Sequence, residues 1–424
     1  MLAFFAPALQ AQEEGGTGGG TATAGGEGAV STGDNGTQNF GPQTLTGTAT
    51  GGAPSLGTGT YQRAPFRVSV SVREGYDDNV YTTKLNKVGS FFTNASAVFD
   101  YRAGTPRTVF SLEAIVGGTY YYFRPFGQNY DVNTSLALSV EHRATPRLTL
   151  SANAYFTYQT EPDFNSNFGS NRRAGNFFFT TDKFGLGYQW TPRFSTVTSY
   201  TLGALHYDDQ SIGSFEDRTE HTFGNEFRFL VLPTTTLVGE YRFEIINFAD
   251  APRDSTTHFL LAGVDHTFNP RFNVSLRAGV EFRDIDNFGE RTSPYAESTL
   301  RYAVGQRTSI AWVTRYGLEE PDVAGTQSRT TFRTGLNVNY AITSRLSATG
   351  AFFYQHDDNA ELSTPTFFVP QFNEDSLEIG IALRYEINRY FALLAGYNHS
   401  EVFSDVNLRE YSRNRYYVGL NATF

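Results

Sequence analysis

Apolar and polar residues alternate along most of this chain with a period of two. Leu237, Gly239, Tyr241, Phe243 and Ile245 interleave with Val238, Glu240, Arg242, Glu244 and Ile246. Phe272, Val274, Leu276, Ala278, Val280 and Phe282 interleave with Asn273, Ser275, Arg277, Gly279, Glu281 and Arg283. Leu377, Ile379, Ile381, Leu383, Tyr385 and Ile387 interleave with Glu378, Gly380, Ala382, Arg384 and Glu386. Successive side chains of a β-strand point to opposite faces, so each stretch reads as a strand with one apolar and one charged face.

A soluble sandwich also alternates, so length and punctuation decide. The stretches run about 10–16 residues, against about 5–6 for strands of ordinary sheets. Short turn signals recur about every 36–46 residues: Gly104–Arg107, Ala144–Arg147, Thr191–Arg193, Leu232–Pro233, Asn269–Arg271, Gly305–Arg307, Thr343–Arg345 and Asn388–Arg389. Longer polar segments lie between them: 162–171, 208–218, 248–254, 284–291, 319–328, 356–374 and 403–410. Eight short turns separate nine hairpins, which predicts an all-β fold: a transmembrane antiparallel β-barrel of about 18 strands, with short periplasmic turns and longer extracellular loops.

In such a barrel the apolar set faces lipid and the charged set lines the interior. The expected pore-lining residues are Arg228, Glu240, Arg242, Glu244, Arg277, Glu281, Arg283, Arg315, Arg333, Glu378, Arg384 and Glu386. Both signs are present, as solvated or cross-paired wall groups. Lysine occurs only at 84, 87 and 183, so the cations are overwhelmingly arginine, which makes bidentate pairs with carboxylates. Eighteen strands leave room for a water-filled lumen unless a segment folds inward. Acid pairs (Asp77 and Asp78, Asp208 and Asp209, Glu216 and Asp217, Asp357 and Asp358, Glu374 and Asp375) predict an acidic outer mouth. Asp77–Asn79 and Asp357–Asn359 resemble fragments of a calcium loop but lack its glycine and closing glutamate. Thr364–Pro370 gives the longest loop an apolar centre, which favours folding into the mouth. Tyr120–Phe123, Tyr295, Tyr416 and Tyr417 fit rings at the headgroup level, while Tyr207 and Tyr417 could also turn inward. The outward faces of 193–208 and 291–304 are the least apolar, and copies of the chain would meet there in a homo-oligomer.

Composition narrows the remaining classes. The 424 residues carry a formal charge of -10, 15% aromatics and no cysteine. No cysteine means no disulfide, thiolate metal site or cysteine nucleophile, and the acidic balance argues against nucleic acid as a partner. Residues 1–11 resemble the end of a secretory signal, with a cleavage point after Ala11, and 12–61 are rich in Gly, Thr, Ala and Ser, too poor in apolar residues to order on their own. The barrel is expected over 62–424. An enzymatic alternative rests on His206 and His221 near Asp208, Asp209, Glu220, Ser211 and Ser214. No nucleophile elbow, zinc-protease or phosphate-binding motif accompanies them, so neither catalysis nor a metal or cofactor is expected.

The run from Val70 to Tyr81 and the recurrent Thr-Pro-Arg turns, each followed by a strand, are similar to a family of Gram-negative outer-membrane barrels called putative β-barrel porin 2. The resemblance covers roughly 62–424. It implies a passive channel or an exit duct for polysaccharide and carries no residue-level site. The expected function is passive diffusion of small hydrophilic solutes or ions through a mixed-charge lumen. The alternatives are exopolysaccharide export and an occluded structural or adhesive barrel. Expected partners are outer-membrane lipid and lipopolysaccharide, the barrel assembly machinery, and small solutes or sugars. The alternating carboxy-terminal stretch ending at Phe424 resembles the signal that machinery reads.

Overall fold

A computed structural model describes residues 66–161, 175–321, 326, 328–364, 367–406 and 409–424. The expected segments 1–11 and 12–61 and the loop 162–171 lie outside the described residues. The strands are β1 (Phe66–Asp77), β2 (Ser90–Gly104), β3 (Thr108–Tyr121), β4 (Tyr130–Thr145), β5 (Leu148–Gln159), β6 (Phe177–Gln189), β7 (Phe194–Tyr207), β8 (Arg218–Leu232), β9 (Thr235–Phe248), β10 (Ser255–Asn269), β11 (Phe272–Ile285), β12 (Gly289–Val304), β13 (Thr308–Glu319), β14 (Arg329–Ala341), β15 (Leu346–Asn359), β16 (Leu362–Thr364), β17 (Phe367–Val369), β18 (Phe372–Glu386), β19 (Phe391–Ser404) and β20 (Tyr411–Thr423). A helix, α1 (Gln210–Glu216), lies between β7 and β8.

All strands but β16 and β17 form one 18-stranded sheet in which each pairs antiparallel with its sequence neighbours. β1 also pairs with β20, from Ser69 opposite Thr423 to Asp77 opposite Arg415, and this closes the barrel. The expected strand count and the alternation both hold. Val70, Val72, Leu237, Tyr241, Leu260, Leu276, Ile381, Leu383, Val418 and Leu420 are exposed on the outside, where lipid rather than water covers them. Among the described residues no helix is long and apolar enough to cross a membrane, and crossing falls to the strands. The protein is an outer-membrane β-barrel.

The turns at one end share a physical device. Thr105, Thr145, Thr191 and Thr343 each use Oγ1 to accept the backbone N–H groups two and three residues on, at 3.0–3.3 Å. Asn388 Oδ1 does the same for Tyr390 and Phe391 at 2.8 and 3.0 Å. A proline after the threonine at the first three sites presets φ, so the turn chemistry is local and repeats.

Two departures from the sequence expectation stand out. The segment 284–291 is not a long loop: β11 and β12 continue to Ile285 and Gly289, joined by three residues, with Asn287 at φ 66° and Gly289 at φ 82°. Asn and Gly tolerate this left-handed backbone, which permits so tight a connection. The second departure lies in the wall. β12 pairs with β13 only from Val304 opposite Thr308 up to Ala296 opposite Tyr316. Above that level the Leu318 N–H donates to the Glu281 carboxylate at 2.5 Å, and Gly317 lies against the Tyr295 ring. Pro294, which has no N–H to give a ladder, sits in the part of β12 that β13 leaves.

Close backbone approach generates a test. A Cβ on Gly279 would lie 1.9 Å from the Leu260 carbonyl oxygen, whereas one on Gly239 meets nothing within 4 Å. G279V is expected to lower unfolding free energy by about 1–3 kcal/mol in urea titrations of vesicle-embedded protein. G239V should stay within about 0.5 kcal/mol.

Candidate functional site

Every one of the twelve sequence-selected charges lies in the inward register of its strand. Arg228, Glu240, Arg242, Glu244, Arg277, Glu281, Arg283, Arg333 and Glu378 are at most 9% exposed. Arg315 and Arg384 are half-buried, and Glu386, at the turn end, is exposed. The structure brings most of them together on one side of the lumen.

From β8 to β12 they form a continuous ion-pair ladder. Arg228 donates to Glu226 at 2.6 Å and to Asp265 at 2.5 Å. Arg277 grips Asp265 with both Nη atoms, at 2.8 and 3.1 Å, and lies within 3.8 Å of Glu226 and 3.7 Å of Glu240. Arg242 bonds Glu240 on its own strand and Glu297 at 2.7 Å on β12, and the Tyr295 hydroxyl also donates to Glu297 at 2.6 Å. Toward the loop end Arg283 meets Glu320 at 2.7 Å, Arg333 meets Glu319 at 2.9 Å, and Arg329 lies between Glu319 and Asp357. Removing ions from water is costly, and the forked, multiply hydrogen-bonded geometry of arginine is what offsets that cost. These side chains therefore form a packed, cross-paired layer.

The acid pairs are corrected in part. Asp77 and Asp78, Asp357 and Asp358, and Glu374 and Asp375 lie near strand ends, where period two turns one member in and its neighbour out, whereas Glu216 and Asp217 are both buried at the end of α1 and Asp208 and Asp209 are both exposed. Asp77 pairs with Arg413, Glu216 with Arg218, Asp357 with Arg329 and Glu374 with Arg409. About half of the expected acidic mouth is thus neutralised inside, and the two calcium-like fragments are held by arginine. Tyr295 faces inward and is buried, as are Tyr121 and Tyr207, and Tyr417 is inward beneath Arg73; Tyr120, Tyr122, Phe123 and Tyr416 are the outward rings. Adjacent residues on a strand cannot both face the headgroups.

The histidine cluster does not converge on serine. His206 contacts Asp217 at 2.5 Å, Ser211 Oγ donates to Asp209 at 2.7 Å, and His221 meets the Tyr200 hydroxyl at 2.8 Å on the outer face. Asp209 caps α1, and the hydroxyl and N–H of Ser211 hold its carboxyl below the usual range. In the longest loop β15 and β18 extend to Asn359 and from Phe372, and β16 pairs with β17; Pro365 and Thr366 lie outside the described residues.

Two contacts span the loop end. Arg413 on β20 donates to Asp77 on β1 at 2.9 and 3.0 Å and to Glu161, just past β5, at 2.6 Å; the Tyr121 hydroxyl joins them. Around the wall β5 and β20 are five strand steps, about 24 Å, apart. Glu161 lies beyond the end of β5, and its contact with Arg413 reaches across the lumen at the loop end. Arg253 bonds the Phe215 carbonyl at 2.7 Å and the Pro321 carbonyl at 3.2 Å, tying together the connections β7–β8, β9–β10 and β13–β14.

The opposite wall is open. A cavity of about 350 Å³ lies against β2–β7. Along it Arg102, Ser111, Ser139, Asn153, Lys183 and Thr201 stand opposite one another in a single register row. Arg102 and Lys183 have no ion-pair partner among the described residues, while Asp100 is paired with Arg67 at 2.7 Å.

Sequence reasoning missed Asp265, Glu161, Glu319, Glu320 and Arg413 as members of the site. Asp265 carried a legible signal, since it alternates with the outward Val264 and His266; Glu161 carried none, because its partner is 252 residues away. D265A leaves Arg228 and Arg277 facing each other and is expected to lower barrel stability by about 3–5 kcal/mol in the same urea titration.

The profile of the family described as Putative beta-barrel porin 2 matches residues 57–424. No curated protein matches the chain by sequence. Among solved structures it is similar to a BenF-like porin from Pseudomonas fluorescens Pf-5, with 11% identity, a TM-score of 0.46, and 86% of this chain and 100% of that chain covered. It is also similar to OccAB4 of Acinetobacter baumannii, with 14% identity, a TM-score of 0.41, and 86% and 100% covered. OpdK of Pseudomonas aeruginosa aligns with 12% identity and a TM-score of 0.43, covering 85% of this chain and 99% of that one. With the profile matched across the whole barrel, this chain belongs to the putative beta-barrel porin 2 family.

Proposed function

We propose that the protein is a passive diffusion channel for small hydrophilic solutes and ions. The observation that carries this reading is the two-sided lumen: a dry arginine–carboxylate layer on β8–β15 faces a 350 Å³ cavity lined by hydroxyl, amide and charged groups on β2–β7. Solutes pass along the open side, and selection comes from width and field at the constriction. With Asp100 paired to Arg67, Arg102 and Lys183 outweigh Glu113 in the cavity lining, so anions are favoured at that level over what the acidic composition alone implies.

A second reading is favoured by the contacts that span the loop end. The Arg413–Asp77–Glu161 contact and the Arg253 tie would make the pore narrow or closed at rest. Export of a polysaccharide would need this constriction to open.

Single-channel recording in planar bilayers under a KCl gradient tests both. Discrete steps from wild-type protein support the open channel, and K183E should move the reversal potential toward cation preference. Silent wild-type protein with conducting R413A would select the closed-at-rest reading. If both are silent although the barrels migrate as folded, the channel proposal fails.

A further inference from the structure

The outer face carries one carboxylate that lipid cannot satisfy. Asp182 is in the outward register of β6, with Phe178 and Thr180 above it and Phe184, Leu186 and Tyr188 below on the same face. Its flanking rings place it within the apolar band. Thr180 donates to its Oδ2 at 3.1 Å, but Oδ1 has no hydrogen-bond partner among the described residues. Other outward acids differ: Glu74 on β1 accepts from Thr93 at 2.7 Å, Asp375 on β18 accepts from Tyr354 and contacts His356, and Glu401 on β19 contacts His399, all toward the loop end. The similarly polar face of β12–β14 satisfies itself, with Thr314 bonded to Thr334 and the Trp312 indole donating to Thr334.

The missing partner has a complement two strands away. Asp182 stands opposite Leu202 on β7, and Leu202 stands opposite His221 on β8. The Tyr200 hydroxyl and His221 Nδ1 share a hydrogen bond at 2.8 Å, and His221 Nε2 has no partner among the described residues. Asn225, lower on β8, accepts from Thr198 through Oδ1 and keeps its two amide hydrogens free among the described residues. An acceptor therefore lies on one side of β7 and donors on the other, each about 4.8 Å per strand step from the centre line.

We propose that two copies of this chain associate in the membrane through the outer face of β6–β8, about a two-fold axis along the membrane normal in front of Leu202. A half-turn exchanges the two flanks of β7. It sets Asp182 of each copy against His221 and Asn225 of the other and makes the contact self-complementary, as a two-fold interface requires. A polar hydrogen bond in hydrocarbon holds the pair, and the part-satisfied Asp182 carboxylate is what favours this face.

The chain has no cysteine, so single-cysteine variants of the full-length protein read the interface directly. L202C is expected to give a disulfide-linked dimer in outer membranes on non-reducing gels. I381C, on the β18 face across the barrel, should stay monomeric. Native mass spectrometry of detergent-extracted wild-type protein should show two copies. D182L should weaken association at least tenfold while D182N retains it, with heat-modifiable migration confirming that each barrel is folded. Equal cross-linking at both positions, none at Leu202, a species of three or more copies, or unchanged dimer in D182L would overturn the proposal.

Discussion

An unpaired backbone N–H or C=O in hydrocarbon costs several kcal/mol, and no water is present to relieve it. Everything else in this structure follows from meeting that demand. A sheet of 18 strands must close on itself, and it does so where Asp77 and Ser69 on β1 meet Arg415 and Thr423 on β20. Closure imposes an inside and an outside on every strand, and period-two alternation then assigns each side chain to lipid or lumen. The one stretch where the ladder lapses, above Ala296 and Tyr316, lies beside Pro294, and there the Glu281 carboxylate takes over for the Leu318 N–H.

Closure also concentrates charge. Each inward residue adds to a shared interior, and the chain meets the resulting repulsion and desolvation by interleaving signs between neighbouring strands. Asp265 on β10 lies between Arg228 and Arg277, and Glu297 receives Arg242 from three strands away. Lysine, a point charge, could not hold two carboxylates in fixed planes as these guanidinium groups do. The preference for arginine is thus a requirement of a packed layer, while the lysine at 183 lines the open cavity.

Much of this was legible in the sequence because its causes are local. Alternation around Arg242 and Glu281, and the threonine or asparagine opening most of the short turns, act over two to four residues, so strand count and inward parity could be read directly. Local pattern failed where the cause was remote. Whether Glu240 faces water or a guanidinium depends on where Arg242 and Arg277 end up across strands. Glu161, in the connection after β5, meets Arg413 on β20 across the loop end, 252 residues away in sequence. Asp286–Gly289 looked like a loop by polarity alone, since its two left-handed positions were outweighed by a run of charges.

The arginine layer has a consequence for how such proteins diversify. In an ordinary closed sheet the bore follows from the number of strands, which changes only by adding or losing a whole hairpin. Here the free width is set by how far side chains on β8–β15 reach across the interior. Exchanging an arginine–glutamate pair for serine or alanine would widen the passage by the length of a side chain and leave every backbone hydrogen bond in place. Channel calibre can therefore vary by point substitution, on a scaffold whose assembly does not register the change.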